Sequence, residues 1–178
     1  MKNHSRITIV SLSIAIAIVA VGAAIQADKP AFTRTTIDLG IVVTDLDASA
    51  RFYKEAIGFE ELSGFDVSKE MAGDSGLTDY QPISVRVFAL KNESTATRIK
   101  LMSFPDSPAK KVDNTYINSS LGYSYLTLLV ADTTASVQRV KAAGYSPVKE
   151  PYRINANTYL TLVKDPDGNI IEFVGPKQ

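Results

Sequence analysis

The sequence predicts an α+β fold built from two tandem βαβββ modules, and three observations carry that prediction. A stretch of the first half returns in the second. Ile41-Val42-Val43-Thr44-Asp45, Ala48-Ser49 and Ala56-Ile57-Gly58-Phe59 are matched by Leu128-Leu129-Val130-Ala131-Asp132, Ala135-Ser136 and Ala142-Ala143-Gly144-Tyr145. Each copy passes from an apolar run, through an aspartate, into an amphipathic stretch that stops at a glycine. Further runs of strand character follow each copy, and the final pair is joined by Asp165-Pro166-Asp167-Gly168-Asn169.

Residues 1–27 stand outside this pattern. Lys2 and Arg6 form a short basic start, and Ile7 to Ile25 is an apolar run broken only by small and hydroxyl-bearing residues such as Ser11 and Ser13. Small residues in Ile25-Gln26-Ala27, ahead of Asp28-Lys29-Pro30, give a cleavage point after Ala27. The segment reads as an export signal, leaving residues 28–178 as a periplasmic or secreted domain. Because roughly 17–25 apolar residues span a bilayer, an uncleaved anchor is the alternative, and only then is a membrane a partner. Lipid attachment of the lipoprotein kind is excluded, since no cysteine follows the run.

In the first module, residues 35–104, the strand through Ile41 and Val43 leads to Asp45. A carboxylate there accepts the free backbone N–H groups of a helix start. Gly58 ends that helix by taking a left-handed conformation, and Phe59 opens the next strand. Ser63 to Pro82 reads as a long loop, either a lid or a stretch that is disordered or holds a short helix. Ile83 to Leu90 and Thr97 to Phe104 are the remaining strands. Pro105 to Ser120, with its prolines and polar residues, links the modules. The second module, residues 121–175, repeats the order with Asp132, Gly144 and Tyr145, then strands at Thr158–Lys164 and Asn169–Val174. In their turn, Pro166 presets one dihedral and Gly168 accepts a positive φ, so these two strands form a hairpin.

Composition narrows the chemistry. The length and a 45% hydrophobic content suit one core in one compact domain. The chain has no cysteine, which removes disulfides, zinc–thiolate sites, iron–sulfur clusters and cysteine nucleophiles. Its one histidine is His4, inside the export signal, so the mature domain has no imidazole for a metal, a general base or a triad. With a net charge of +0 and no basic run beyond Lys110-Lys111, nucleic acid is not a partner.

Asp45-Leu46-Asp47-Ala48-Ser49 and Phe52-Tyr53 ahead of Gly58-Phe59 resemble the opening of a vicinal oxygen chelate module. Asp165-Pro166-Asp167-Gly168-Asn169-Ile170-Ile171-Glu172-Phe173 resembles its ending. With the duplication, the resemblance to the glyoxalase, bleomycin-resistance and extradiol-dioxygenase superfamily covers nearly all of the mature chain. It implies a curved mixed sheet around a cleft facing away from the helices, with four metal ligands on the first and last strands of the two modules. Carried over by position, these are Asp38 where histidine is usual, Lys100 where an acid or glutamine is common, Tyr125 where histidine is common, and Glu172, which keeps the usual type. The family also implies a small-molecule ligand and a homodimer by analogy.

Strand alternation places the same residues in the cleft independently. Ile37, Leu39, Ile41 and Val43 leave Asp38 opposite. Ile99 and Leu101 leave Arg98, Lys100 and Met102 opposite, Leu126 and Leu128 leave Tyr125 and Thr127, and Ile171 and Phe173 leave Glu172. An ammonium repels a divalent ion, so Lys100 argues against any metal cofactor and stands instead where the ion would, paired with Asp38 and Glu172. The same residues also read as ordinary salt-bridge and hydrogen-bond partners without activity. The expected function is binding of a small molecule in the cleft through Asp38, Arg98, Lys100, Tyr125, Thr127 and Glu172. Arg98, with Arg86 if its strand keeps parity, favours an anionic or carbonyl-bearing ligand. The alternatives are a metal-free enzyme, with Lys100 or Tyr125 as electrophile or proton donor and Glu172 as base, and a lyase or dioxygenase holding a divalent metal through Asp38 and Glu172.

Overall fold

The computed structural model describes residues 32–178; the segment expected to be an export signal, its expected cleavage point and His4 lie outside the described residues. The first module runs β1 (Asp38–Val42), α1 (Leu46–Arg51), a π-helical continuation (Phe52–Ile57), β2 (Glu60–Val67), α2 (Lys69–Asp74), β3 (Ile83–Ala89) and β4 (Arg98–Met102). The second runs β5 (Tyr125–Leu129), α3 (Thr133–Ala142), β6 (Tyr152–Arg153), β7 (Tyr159–Lys164) and β8 (Ile170–Gly175). Two four-stranded mixed sheets result, ordered β1-β4-β3-β2 and β5-β8-β7-β6. In each, the first and last strands of the module pair in parallel and the other pairs are antiparallel. The α+β class and the tandem plan agree with the sequence reading.

The helix signals act as their chemistry dictates. Asp45 accepts the Ala48 N–H at 2.9 Å, and Asp132 accepts the Thr134 N–H at 2.8 Å. Gly58 and Gly144, at φ 92° and 87°, turn the chain out of the two helices. Between Asp45 and Gly58 the helix widens into π geometry, closed by Gly58 N–H donating to the Tyr53 carbonyl at 3.1 Å. The adjacent pairs Phe52-Tyr53 and Ala56-Ile57 are all buried.

Both modules share one core. Phe52, Tyr53, Phe88, Ile99 and Leu101 from the first pack in the same cluster as Val140, Val163, Ile171 and Phe173 from the second. Each large apolar side chain so buried contributes about 1.5–3 kcal/mol relative to exposure. Phe52 also meets Tyr145 edge-on, with ring centroids 4.7 Å apart. Polar ties also cross between modules, among them the Thr44 N–H donating to Asp167 Oδ2 at 2.9 Å. Arg139 of α3 donates to the carbonyls of Ala56 and Ile57 at 3.1 and 2.9 Å, satisfying the end of the first helix. The buried Tyr53 hydroxyl donates to Asp165 at 3.0 Å.

Two expectations are corrected. The stretch from Ser63 is not all loop, because β2 continues to Val67 through a register shift between Leu62 and Phe65. Gly64 stands at that shift, where any Cβ would run into the Val85 carbonyl oxygen. Of the remainder, Lys69–Asp74 forms α2, in agreement with the short-helix reading, and packs Ala72 against Val67, Ile83, Val85 and Val87 in a second apolar cluster, while residues 75–82 stay irregular. In the second module, Tyr145 does not open a strand. Only Tyr152 and Arg153 form β6, after Pro147 and Pro151, which carry no N–H for a ladder.

Candidate functional site

Parallel pairing of β1 with β4 sets the first half of the site. Asp38 lies opposite Arg98 and Gly40 opposite Lys100 in register. Because strand side chains alternate, Leu39, Ile99 and Leu101 enter the shared core while Asp38, Arg98 and Lys100 lie on the other face. Lys100 Nζ is 3.0 Å from Asp38 Oδ2. Arg34 Nη2 reaches the same oxygen at 2.7 Å. Burial pushes the Asp38 carboxyl up, but the hydrogen bonds and charges of Lys100 and Arg34 outweigh it and hold the group below its ordinary range.

The second half comes from β5 and β8. Thr127 and Glu172 are register partners, and the Thr127 hydroxyl donates to Glu172 Oε2 at 2.7 Å. Tyr125 is 52% exposed and lines a cavity of about 230 Å³, which also touches β1 from Leu39 to Val42 and the start of β8. The two halves are thus built separately. Lys100 pairs with Asp38 and does not bridge to Glu172, which forms no ion pair among the described residues. Side-chain parity specifies a face but not a distance between two sheets, which is why that expected bridge fails.

Arg86 is not a cleft residue. Its neighbour Phe88, two positions on, enters the shared core, and Arg86 turns the same way to bind Asp47 of α1 at 2.8 Å and Glu61 of β2 at 2.7 Å. Val85 and Val87 occupy the other face, under α2. Conversely, Arg34 belongs beside Asp38 although sequence reasoning passed over it. It precedes β1 in an irregular segment, where a four-residue spacing carries no periodic meaning.

These donors do not fit a divalent ion. Two cations already neutralise Asp38 through its Oδ2, and an ammonium, which cannot ligate a metal and repels it, stands at the second ligand position. Arg98 is a further cation on this face. Its guanidinium forms no hydrogen bond or ion pair among the described residues, and Nε is buried without a partner, as are Thr36 Oγ1 and Asp38 Oδ1.

Comparison with known proteins follows the same outline. The family model described as Glyoxalase/Bleomycin resistance protein/Dioxygenase superfamily matches residues 35–173. The chain is 27% identical over 146 residues to a probable lactoylglutathione lyase of Vibrio cholerae, covering 76% of this chain and 86% of that one. It superposes on a glyoxalase family protein from Bacillus cereus with a TM-score of 0.70 at 24% identity, over 87% of this chain and 100% of that one. An antibiotic binding protein from a Streptomyces species shares the fold with a TM-score of 0.53 at 22% identity, over 80% and 95% of the two chains.

Proposed function

Since the chain belongs to the Glyoxalase/Bleomycin resistance protein/Dioxygenase superfamily, we propose that it is an exported protein that binds a small molecule in its cleft without a divalent ion. One observation carries the reading: Lys100 Nζ sits 3.0 Å from Asp38 Oδ2, so the cation is supplied by the chain itself. The basic start, apolar run and Ala27 cleavage point support export, with residues 28–178 as the mature domain. A fold shared with an antibiotic binding protein is consistent with binding as a role for this architecture.

Native mass spectrometry of the protein from its source tests this. The expected result is a non-covalent organic adduct, lost on denaturation, on a chain without metal mass. A chain carrying metal and no organic adduct overturns it.

A glyoxalase-like lyase is the second reading, favoured by the Vibrio cholerae relative and by Glu172. That carboxylate accepts from Thr127 and forms no ion pair among the described residues, which suits a general base held in a fixed orientation. On this reading Glu172→Gln abolishes turnover of a hemithioacetal while leaving the melting temperature unchanged; equal turnover by the variant would remove Glu172 from the role.

A further inference from the structure

We infer that the cleft ligand is an anion, a carboxylate or phosphate, and that the Arg98 guanidinium with the free protons of Lys100 is its anchor. This rests on the binding reading above and names the chemistry of the molecule bound. Arg34 and Lys100 both bind Asp38, Arg98 stands beside Lys100 on the same face of β4, and the register brings Glu60 of β2 onto that face, so three cations stand against two carboxylates there.

Arg34 and Lys100 both spend contacts on Asp38, but Arg98 has none among the described residues, and its Nε is already removed from water. A partly buried guanidinium gains most from a planar, bidentate acceptor, and carboxylate or phosphate oxygens match its fork. Nη1 and Nη2 are absent from the buried unpartnered atoms, so the anion approaches end-on through them.

Arg98 and Lys100 are two residues apart on β4 and project from one face, roughly 6.6 Å apart along the strand. An anionic group held between them is reached by one of the remaining ammonium protons of Lys100 while another stays on Asp38. Next on that face, Met102 is half-buried and packs against the apolar cluster of Val67, Ala72, Ile83, Val85 and Val87, which leaves the charged pair Arg98 and Lys100 as the polar part of the face. Arg86 makes an instructive contrast: its guanidinium is fully engaged by Asp47 and Glu61, and no anion is needed there.

The test uses the full chain labelled with nitrogen-15, titrated at constant ionic strength with benzoate, with its neutral isostere benzamide, and with inorganic phosphate. The side-chain Nε–H signal of Arg98 is read together with the backbone signals of Tyr125 and Thr127. The expected result is a saturable shift of the Arg98 signal with benzoate or phosphate and none with benzamide. Affinity should fall at least tenfold in Arg98→Gln and less in Arg98→Lys, which keeps the charge but loses the fork. Benzamide binding as tightly as benzoate, or an Arg98→Gln variant of unchanged affinity, overturns the anion assignment and leaves a cleft that binds neutral molecules. No saturable shift at Arg98, Tyr125 or Thr127 with any probe overturns both the anion assignment and the binding reading.

Discussion

Asp38 is the residue on which the electrostatics of the cleft turn, because two cations meet at one of its oxygens. Its carboxyl is held below the ordinary range, so the stability it contributes is present above the unfolded carboxylate value, about 3.9, and is lost as pH falls through the lower folded value. Lys100→Met removes part of that effect. Lys100 is about a third exposed and Arg34 keeps its contact, so the expected cost at neutral pH is about 0.5–1 kcal/mol. Denaturant unfolding should show the deficit shrinking as Asp38 protonates at low pH. A deficit independent of pH would mean that the charge pair is not its source. Asp165 works in the opposite sense. Burial raises its carboxyl against the hydrogen bonds from Asn169, Tyr53 and Asp167, so its contribution is greatest at low pH and lost as pH rises through the raised value. Lys100 does not contact it, and it cancels in the comparison.

At the scale of elements, the turn between β7 and β8 isolates backbone strain from packing. Gly168 has φ 92°, and a Cβ there would meet nothing within 4 Å, so Gly168→Val is penalised by conformation alone. The expected loss is about 1–3 kcal/mol by thermal or denaturant unfolding, with Gly168→Asn retaining most of the stability because asparagine tolerates this region. An unchanged melting temperature in the valine variant would show that the turn adopts another form in solution. Arg139 makes a complementary case between elements. Replacing it with Met should cost about 1–3 kcal/mol, because the Ala56 and Ile57 carbonyls lose their donors where the two modules meet. A loss below a few tenths of that would mean water replaces the guanidinium freely.

Which elements could be read in advance follows from the range of the physics involved. The starts of α1 and α3 depend on a carboxylate within three residues of the N–H it accepts, so Asp45 and Asp132 announce them. The π segment depends on how Phe52, Tyr53, Ala56 and Ile57 meet a core that includes the other module, and no local pattern encodes that. Likewise, alternation put Asp38, Lys100, Thr127 and Glu172 on the faces away from the core, whereas the hydrogen bond of Thr127 to Glu172 needed the β5–β8 register and Arg34, in an irregular segment, carried no periodic signal.

For the whole molecule, the shared core ties two sheets into one folding unit through Arg139, Tyr53 and the cluster around Phe173. None of these groups belongs to residues 1–27. Removing residues through Ala27 should therefore leave a soluble domain with the melting temperature of the full chain. A truncated protein that precipitates, while the full chain is stable in detergent, would overturn the reading of Ile7 to Ile25 as an export signal. If Lys100 stands in the place of an ion, elemental analysis of the full chain purified from its source without chelators should find no stoichiometric transition metal, and EDTA should leave the melting temperature unchanged. About one nickel, zinc or iron per chain, with destabilisation by the chelator, would contradict that role for Lys100.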